Sequence, residues 1–237
     1  MNVTTTSWGW PLLLAGLAGL AACGSLPEAR MQRPEGLSDH AQMITLDGLG
    51  GGTRGRFRVA GADGEFERRA SRLGLLDNRV ERDRVSARYR LQRDGAAAAP
   101  DLVECRGGQT TLGAGILAAA VQRFGWRCDC AGAAPARLEL SAPDATVGPR
   151  HERQGRYQAD GLTLGLRSEH RLQGTPLPLA QPAGYVFTHD GRVVGALDLA
   201  AGAPRLWRPA QPGALQDAVT RSALALALLW DPAGVAE

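Results

Sequence analysis

The sequence contains no lysine; all 27 of its basic residues are arginine. Arginine shares GC-rich codons with the alanine and glycine that crowd the chain, so a GC-rich genome accounts for the bias and no ligand follows from it. A strong charge of either sign is also missing. The formal net charge is +3 over 237 residues, which implies no strong pull toward nucleic acid or acidic partners. No apolar run reaches the roughly 20 residues that a spanning helix needs. There is no Walker loop, dinucleotide fingerprint or Gly-x-Ser-x-Gly elbow, so the motif-based grounds for a nucleotide-binding enzyme or an elbow-type hydrolase are gone. What remains is an ordinary globular composition, 44% hydrophobic and 22% charged. That is too apolar for disorder and enough for one domain or two small ones.

The longest apolar stretch stands at the start. Residues 1–22 carry no charged side chain, and from Trp8 to Cys23 every residue is apolar or small. Such a run is short for a membrane span and fits a secretory h-region followed by small residues. It ends Leu20-Ala21-Ala22-Cys23. This resembles the lipobox of bacterial lipoproteins, although the Lys or Arg that usually opens such signals is missing. The resemblance implies a signal peptide over residues 1–22, with Cys23 as the lipidated first residue of the mature chain. It implies fatty acylation, palmitate among the acyl groups, and a membrane partner reached through that anchor. Gly24, standing where an inner-membrane lipoprotein of the enteric type has Asp, implies the outer membrane; the periplasmic side is expected rather than the cell surface. Acyl chains contribute about 0.8 kcal/mol per buried CH₂, so several together hold a protein permanently. Residues 23–47 are dotted with Pro, Gly and charge and show no periodicity. They read as a flexible tether, with one globular domain over residues 48–237.

Within that domain alternation dominates, the period of half-buried strands. Phe124, Trp126, Cys128 and Cys130 share one face of FGWRCDC. Val85, Ala87, Tyr89 and Leu91 share one face of RVSARYRLQ, and Leu162, Leu164 and Leu166 align in LTLGLRSEHRL. Asp63-Gly64, Asp160-Gly161 and Asp190-Gly191 stand between apolar runs as hairpin turns. The segment 110–122 is compatible with a short helix or a strand, and residues 96–100 form a loop. Gly48–Gly52 reads as a hinge. Residues 214–230 depart from alternation and predict a helix that Pro232 stops. Its second half, residues 223–230, is apolar all round and must be buried on every side. The fold class that follows is α+β, mainly antiparallel β: a curled sheet or barrel packed around a hydrophobic C-terminal helix. GYVFTHDGRVVGALDL (184–199), RLWRP (205–209) and ALALALLWDP (223–232) resemble the end of tubby-like and scramblase-like barrels, where an apolar helix threads the barrel. That resemblance implies architecture only.

Candidate sites are few. Export implies an oxidising compartment, where a disulfide is the default fate of Cys105, Cys128 and Cys130. Cys128 and Cys130 are unsuited to bridge each other along one strand, so Cys105 pairs with one of them and one thiol stays free. The alternative use of these three sulfurs is a soft-metal site. His40 and His189 are expected at the surface, and His151 carries no motif. His170 follows Ser168 by two residues on the continuation of a leucine face, so the two form a conceivable nucleophile–base pair with a carboxylate such as Asp190. The reading the sequence supports is a lipid-anchored envelope lipoprotein with a structural, assembly or binding role. It has no catalytic residues, no metal and no cofactor, and a protein partner in the envelope is possible. The alternatives are a carrier of a hydrophobic ligand in the periplasm and an envelope hydrolase using Ser168 and His170.

Overall fold

A computed structural model describes residues 28–75, 79–93, 100–114, 117–132, 135–143 and 150–231. The signal segment, Cys23, most of the 96–100 loop and Pro232 lie outside these residues. Twelve strands and one helix follow in order: β1 (Gln42–Thr45), β2 (Arg54–Val59), β3 (Ala62–Leu75), β4 (Val80–Arg93), β5 (Asp101–Ala114), β6 (Leu117–Ala131), β7 (Ala136–Ser141), β8 (Gln154–Ala159), β9 (Leu162–Glu169), β10 (Gly184–His189), β11 (Arg192–Asp198), β12 (Arg205–Arg208) and α1 (Ala214–Ala227). From β2 to β12 each strand pairs antiparallel with the next, and β1 pairs with β12. Just past β1, Asp47 exchanges backbone hydrogen bonds with Arg58 of β2, 2.9 and 3.2 Å. The meander is thereby a nearly closed barrel.

The alternation reads directly into this sheet. Val85, Ala87, Tyr89 and Leu91 of β4 are buried, as are Phe124, Trp126 and Cys128 of β6 and Leu164 and Leu166 of β9. The opposite face is exposed and laced with ion pairs, among them Arg56–Glu65, Arg88–Glu104 and Arg127–Glu139. Two of the expected turns hold: Asp160-Gly161 and Asp190-Gly191 both have positive φ, at 46° and 77° and at 48° and 74°. That is the backbone a two-residue hairpin needs. The first turn is displaced. It is made by Ala60 and Gly61, at φ 48° and 77°, while Asp63-Gly64 sits inside β3. Gly64 serves packing there, because a Cβ on it would come 2.2 Å from the ring of Phe57.

The helix occupies the barrel interior. Residues 223–228 are all buried, and Val219 and Leu224 have no exposed surface. Gly195 of β11 lets the wall approach α1: a Cβ there would lie 2.8 Å from Val219 Cγ1. Two hydroxyls of α1 turn back on its backbone, Thr220 Oγ1 donating to Gln216 O at 2.8 Å and Ser222 Oγ to Ala218 O at 2.7 Å. Their hydroxyls are thus satisfied inside an apolar space. The helix ends at Ala227 with Leu228 as its C-cap, three residues short of the expected limit.

Two further expectations are corrected, and one alternative left open is decided. From Glu28 onward the supposed tether is packed: Met31 and Leu46 are fully buried, Leu37 nearly so, and β1 closes the sheet. The folded unit therefore begins well before residue 48. Apolar residues at irregular spacing were enough to dock this segment, and irregular spacing has no period to detect. The glycine hinge is likewise fixed, since the carbonyls of Gly50 and Gly52 accept from the Arg68 guanidinium and Leu49 is buried. Finally, the ambiguous 110–122 segment is strand on both sides of a hairpin, in β5 and β6.

That hairpin belongs to a projection. Strands β3 to β6 have 14 or 15 residues each, against 4 to 8 in all others. Strand β2 accompanies β3 only to Glu67, and β7 accompanies β6 only to Gly125. Beyond those residues a four-stranded ribbon continues past the rim of the barrel.

Candidate functional site

The pair singled out from sequence is assembled. Strand β9 carries Ser168 inward, and His170 follows directly after its end. Both are buried, and Ser168 Oγ lies 2.9 Å from His170 Nε2. The other ring nitrogen, Nδ1, lies 3.0 Å from the carbonyl oxygen of Leu179. A carbonyl only accepts, so Nδ1 carries the proton and Nε2 is left to accept from the serine hydroxyl. This is the tautomer a general base requires. Asp190 plays no part: it sits in the β10–β11 turn, paired with His189 at 3.5 Å.

The same atoms also have structural duties. Arg153 N–H donates to Ser168 Oγ at 2.9 Å, and Ser168 N–H donates to Arg153 O at 2.8 Å. The Arg153 guanidinium grips both oxygens of Asp231 at 3.0 Å and lies over the Phe124 ring, 4.2 Å from its centroid. This ties β8, β9 and the segment after α1 together. Next to it, burial raises the Glu169 carboxyl. Hydrogen bonds from the Arg171 side chain and backbone and from His170 N–H outweigh that and hold it below its usual 4.5. Burial pushes the His151 imidazole below its usual 6.5, reinforced by the Arg153 charge. The pocket outside the pair holds about 380 Å³ and includes Arg150, Arg153, Arg167 and Arg171 in its lining.

The cysteines resolve the choice left by the sequence. Cys105 and Cys128 face each other on β5 and β6 and form a disulfide. Two of the three candidate thiolates are thereby spent, which removes the soft-metal alternative. Cys130 is the free one, half-buried, and burial raises its thiol above the usual 9.0. Among the described residues no three His, Cys, Asp or Glu side chains gather as a metal site. His40 is exposed, as expected, while His189 donates from the edge of its turn region toward Thr163 O at 3.0 Å.

Two features escaped the sequence. One is the Asp101–Arg221 ion pair, 2.7 Å and largely buried, which links the start of β5 to α1 across 120 positions. No local pattern could announce it. The other is the ribbon, whose one signal was the absence of any charged side chain from Gly107 to Gln122. No family model matches this chain, and neither a curated protein nor a solved structure is similar to it.

Proposed function

We propose that the protein is a lipid-anchored lipoprotein of the bacterial cell envelope, attached through acylated Cys23, and that its barrel serves binding or assembly rather than catalysis. The carrying observation is the filled interior. α1 takes the space in which a carrier barrel would hold its cargo, which argues against the hydrophobic-ligand alternative. The disulfide is compatible with an oxidising compartment. No helix among the described residues is long and apolar enough to cross a membrane; the attachment this reading uses is a lipid at Cys23. Gly24 supports sorting to the outer membrane, and this reading places the barrel on the periplasmic side. Expression with radiolabelled palmitate tests the reading: label enters the native chain and is lost in Cys23→Ser, and globomycin retards processing. A chain that takes up no palmitate overturns it.

A second reading, an envelope hydrolase, is favoured by the 2.9 Å contact of Ser168 Oγ with His170 Nε2. Against it stand the burial of both residues and the use of Oγ as an acceptor for Arg153 N–H. A fluorophosphonate probe decides. Labelling abolished by Ser168→Ala establishes the hydrolase, and an unlabelled native chain removes it.

A further inference from the structure

The outer wall of the barrel carries a trough that the pocket beside Ser168 does not include. One side of it is a row of residues paired across neighbouring strands. Arg106 of β5 faces Arg127 of β6, Arg127 faces Glu139 of β7, and Glu139 faces Arg156 of β8. The next row, two residues nearer the ribbon, runs through Gly108, Gly125, Ser141, Gln154 and Arg167. Side chains shrink along it, and a Cβ on Gly125 would meet nothing within 4 Å. A floor of glycine and serine beside a row of long side chains leaves a concavity of about 910 Å³. Its described lining holds four guanidinium groups, those of Arg106, Arg127, Arg156 and Arg167, against the one carboxylate of Glu139. Glu139 pairs with Arg127 at 2.9 Å and with Arg156 at 3.0 Å, one on each oxygen. It thereby fixes both side chains and leaves them donors to spare. Glu104 lies 3.5 Å from Arg106 and also serves Arg88, at 3.0 Å. Arg167 has no ion pair among the described residues. From Arg106 to Arg167 the arginines span four strand spacings, roughly 19 Å. Glu139 shows what this array accepts: a carboxylate standing between two forked donors. A ligand that carries a series of carboxylates repeats that arrangement along the wall.

The lining also selects the kind of polyanion. Strands β5 to β9 each have a neighbour on both sides, so no edge is open here for a peptide to add as a strand. The apolar residues that contribute to the trough, Trp126, Leu140 and Leu166, are all buried. They present no anchor for a peptide's apolar side chains and no ring on which nucleobases could stack. Besides the guanidinium groups, the polar side chains available are the Ser141 and Thr188 hydroxyls and the Gln154 amide. Each can both donate and accept, as the hydroxyls of a sugar require. A chain of acidic sugars satisfies the charge and the hydroxyl lining together.

We infer that this trough binds a carboxylate-bearing oligosaccharide, its carboxylates held by Arg106, Arg127, Arg156 and Arg167 and its hydroxyls by Ser141, Gln154 and Thr188. The site rests on the binding role proposed for the barrel but needs no acyl group at Cys23, so a failed palmitate experiment and a failed titration are told apart. The full chain, in neutral detergent at low salt, is titrated with hexagalacturonate by isothermal calorimetry. Saturable binding is expected, weakened by added salt and lost with the fully methyl-esterified hexamer. Arg127→Gln and Arg167→Gln should each lower affinity about five-fold. Gly125→Leu fills the floor and alters no charge, and should abolish binding; Ser141→Phe, filling the same floor from the neighbouring strand, should do the same. Arg137→Gln, an exposed arginine of β7 outside the trough, should change nothing. Circular dichroism checks that each variant is folded. Absence of binding, equal binding of the methyl ester, or tighter binding of hexaglutamate overturns the inference. Binding that the arginine substitutions weaken but both floor substitutions leave intact is diffuse attraction to the surface, and overturns the trough as its site.

Discussion

Replacing Leu224 by alanine tests whether α1 is the core of the barrel. Leu224 has no exposed surface and belongs to the main apolar cluster, together with residues of nearly every strand. The substitution removes three carbons, about 2.4 kcal/mol of transfer free energy at ~0.8 kcal/mol each. The surrounding wall is a hydrogen-bonded sheet that cannot collapse inward, so much of the vacated volume persists and adds roughly 1.5 kcal/mol. The expected loss is about 4 kcal/mol, or roughly 8–16 °C in melting temperature for a domain of this size. Equilibrium unfolding in urea without reductant, followed by far-ultraviolet circular dichroism, measures it. Leu177→Ala is the control: Leu177 is 76% exposed, and its loss should stay within about 0.5 kcal/mol. If Leu224→Ala unfolds at the native midpoint, or if the control loses as much, the helix is not the plug of the barrel.

Reducing the Cys105–Cys128 disulfide releases a closed loop of 23 residues' separation, which should cost about 3 kcal/mol by chain entropy, measured as the urea midpoint with and without dithiothreitol. Arg221→Met leaves Asp101 largely buried without its partner and should cost about 3 kcal/mol, most of it regained when Asp101→Leu is added. Ser168→Ala removes the acceptor of Arg153 N–H and should cost about 1–2 kcal/mol, read from the same denaturation curves. Glu169 is held below its usual 4.5 in the folded chain. Its contribution is therefore complete above the unfolded value and disappears as pH falls through the lower folded value. Midpoints of the native chain and Glu169→Gln, taken from pH 7 to pH 3, should converge at the acid end.

The alternation in β4, β6 and β9 was legible because one face of each is buried and the other wet, which is a strictly local pattern. The C-terminal helix was legible for a related reason: a segment apolar all round has only an interior to go to. The Ser168–His170 contact was reachable by phase along one strand. The Asp101–Arg221 and Arg153–Asp231 pairs were not, because each joins residues far apart in sequence whose surroundings carry no period. The docking of residues 28–47 was hidden for a similar reason, since Met31, Leu37 and Leu46 follow neither helical nor strand spacing.

By itself the sequence determined the strand-rich class, the inward faces, two of the three turns, the helix and the choice of Cys105 as a bridging cysteine. These rest on burial period, turn backbone and propensity, which act within about a dozen residues. Only the tertiary structure decided that the sheet closes, that Cys128 rather than Cys130 completes the disulfide, and that four strands outrun their neighbours and leave Leu73, Leu75, Leu112 and Val121 exposed. Those outcomes depend on register between strands, and register is set by how distant segments pack around a common core.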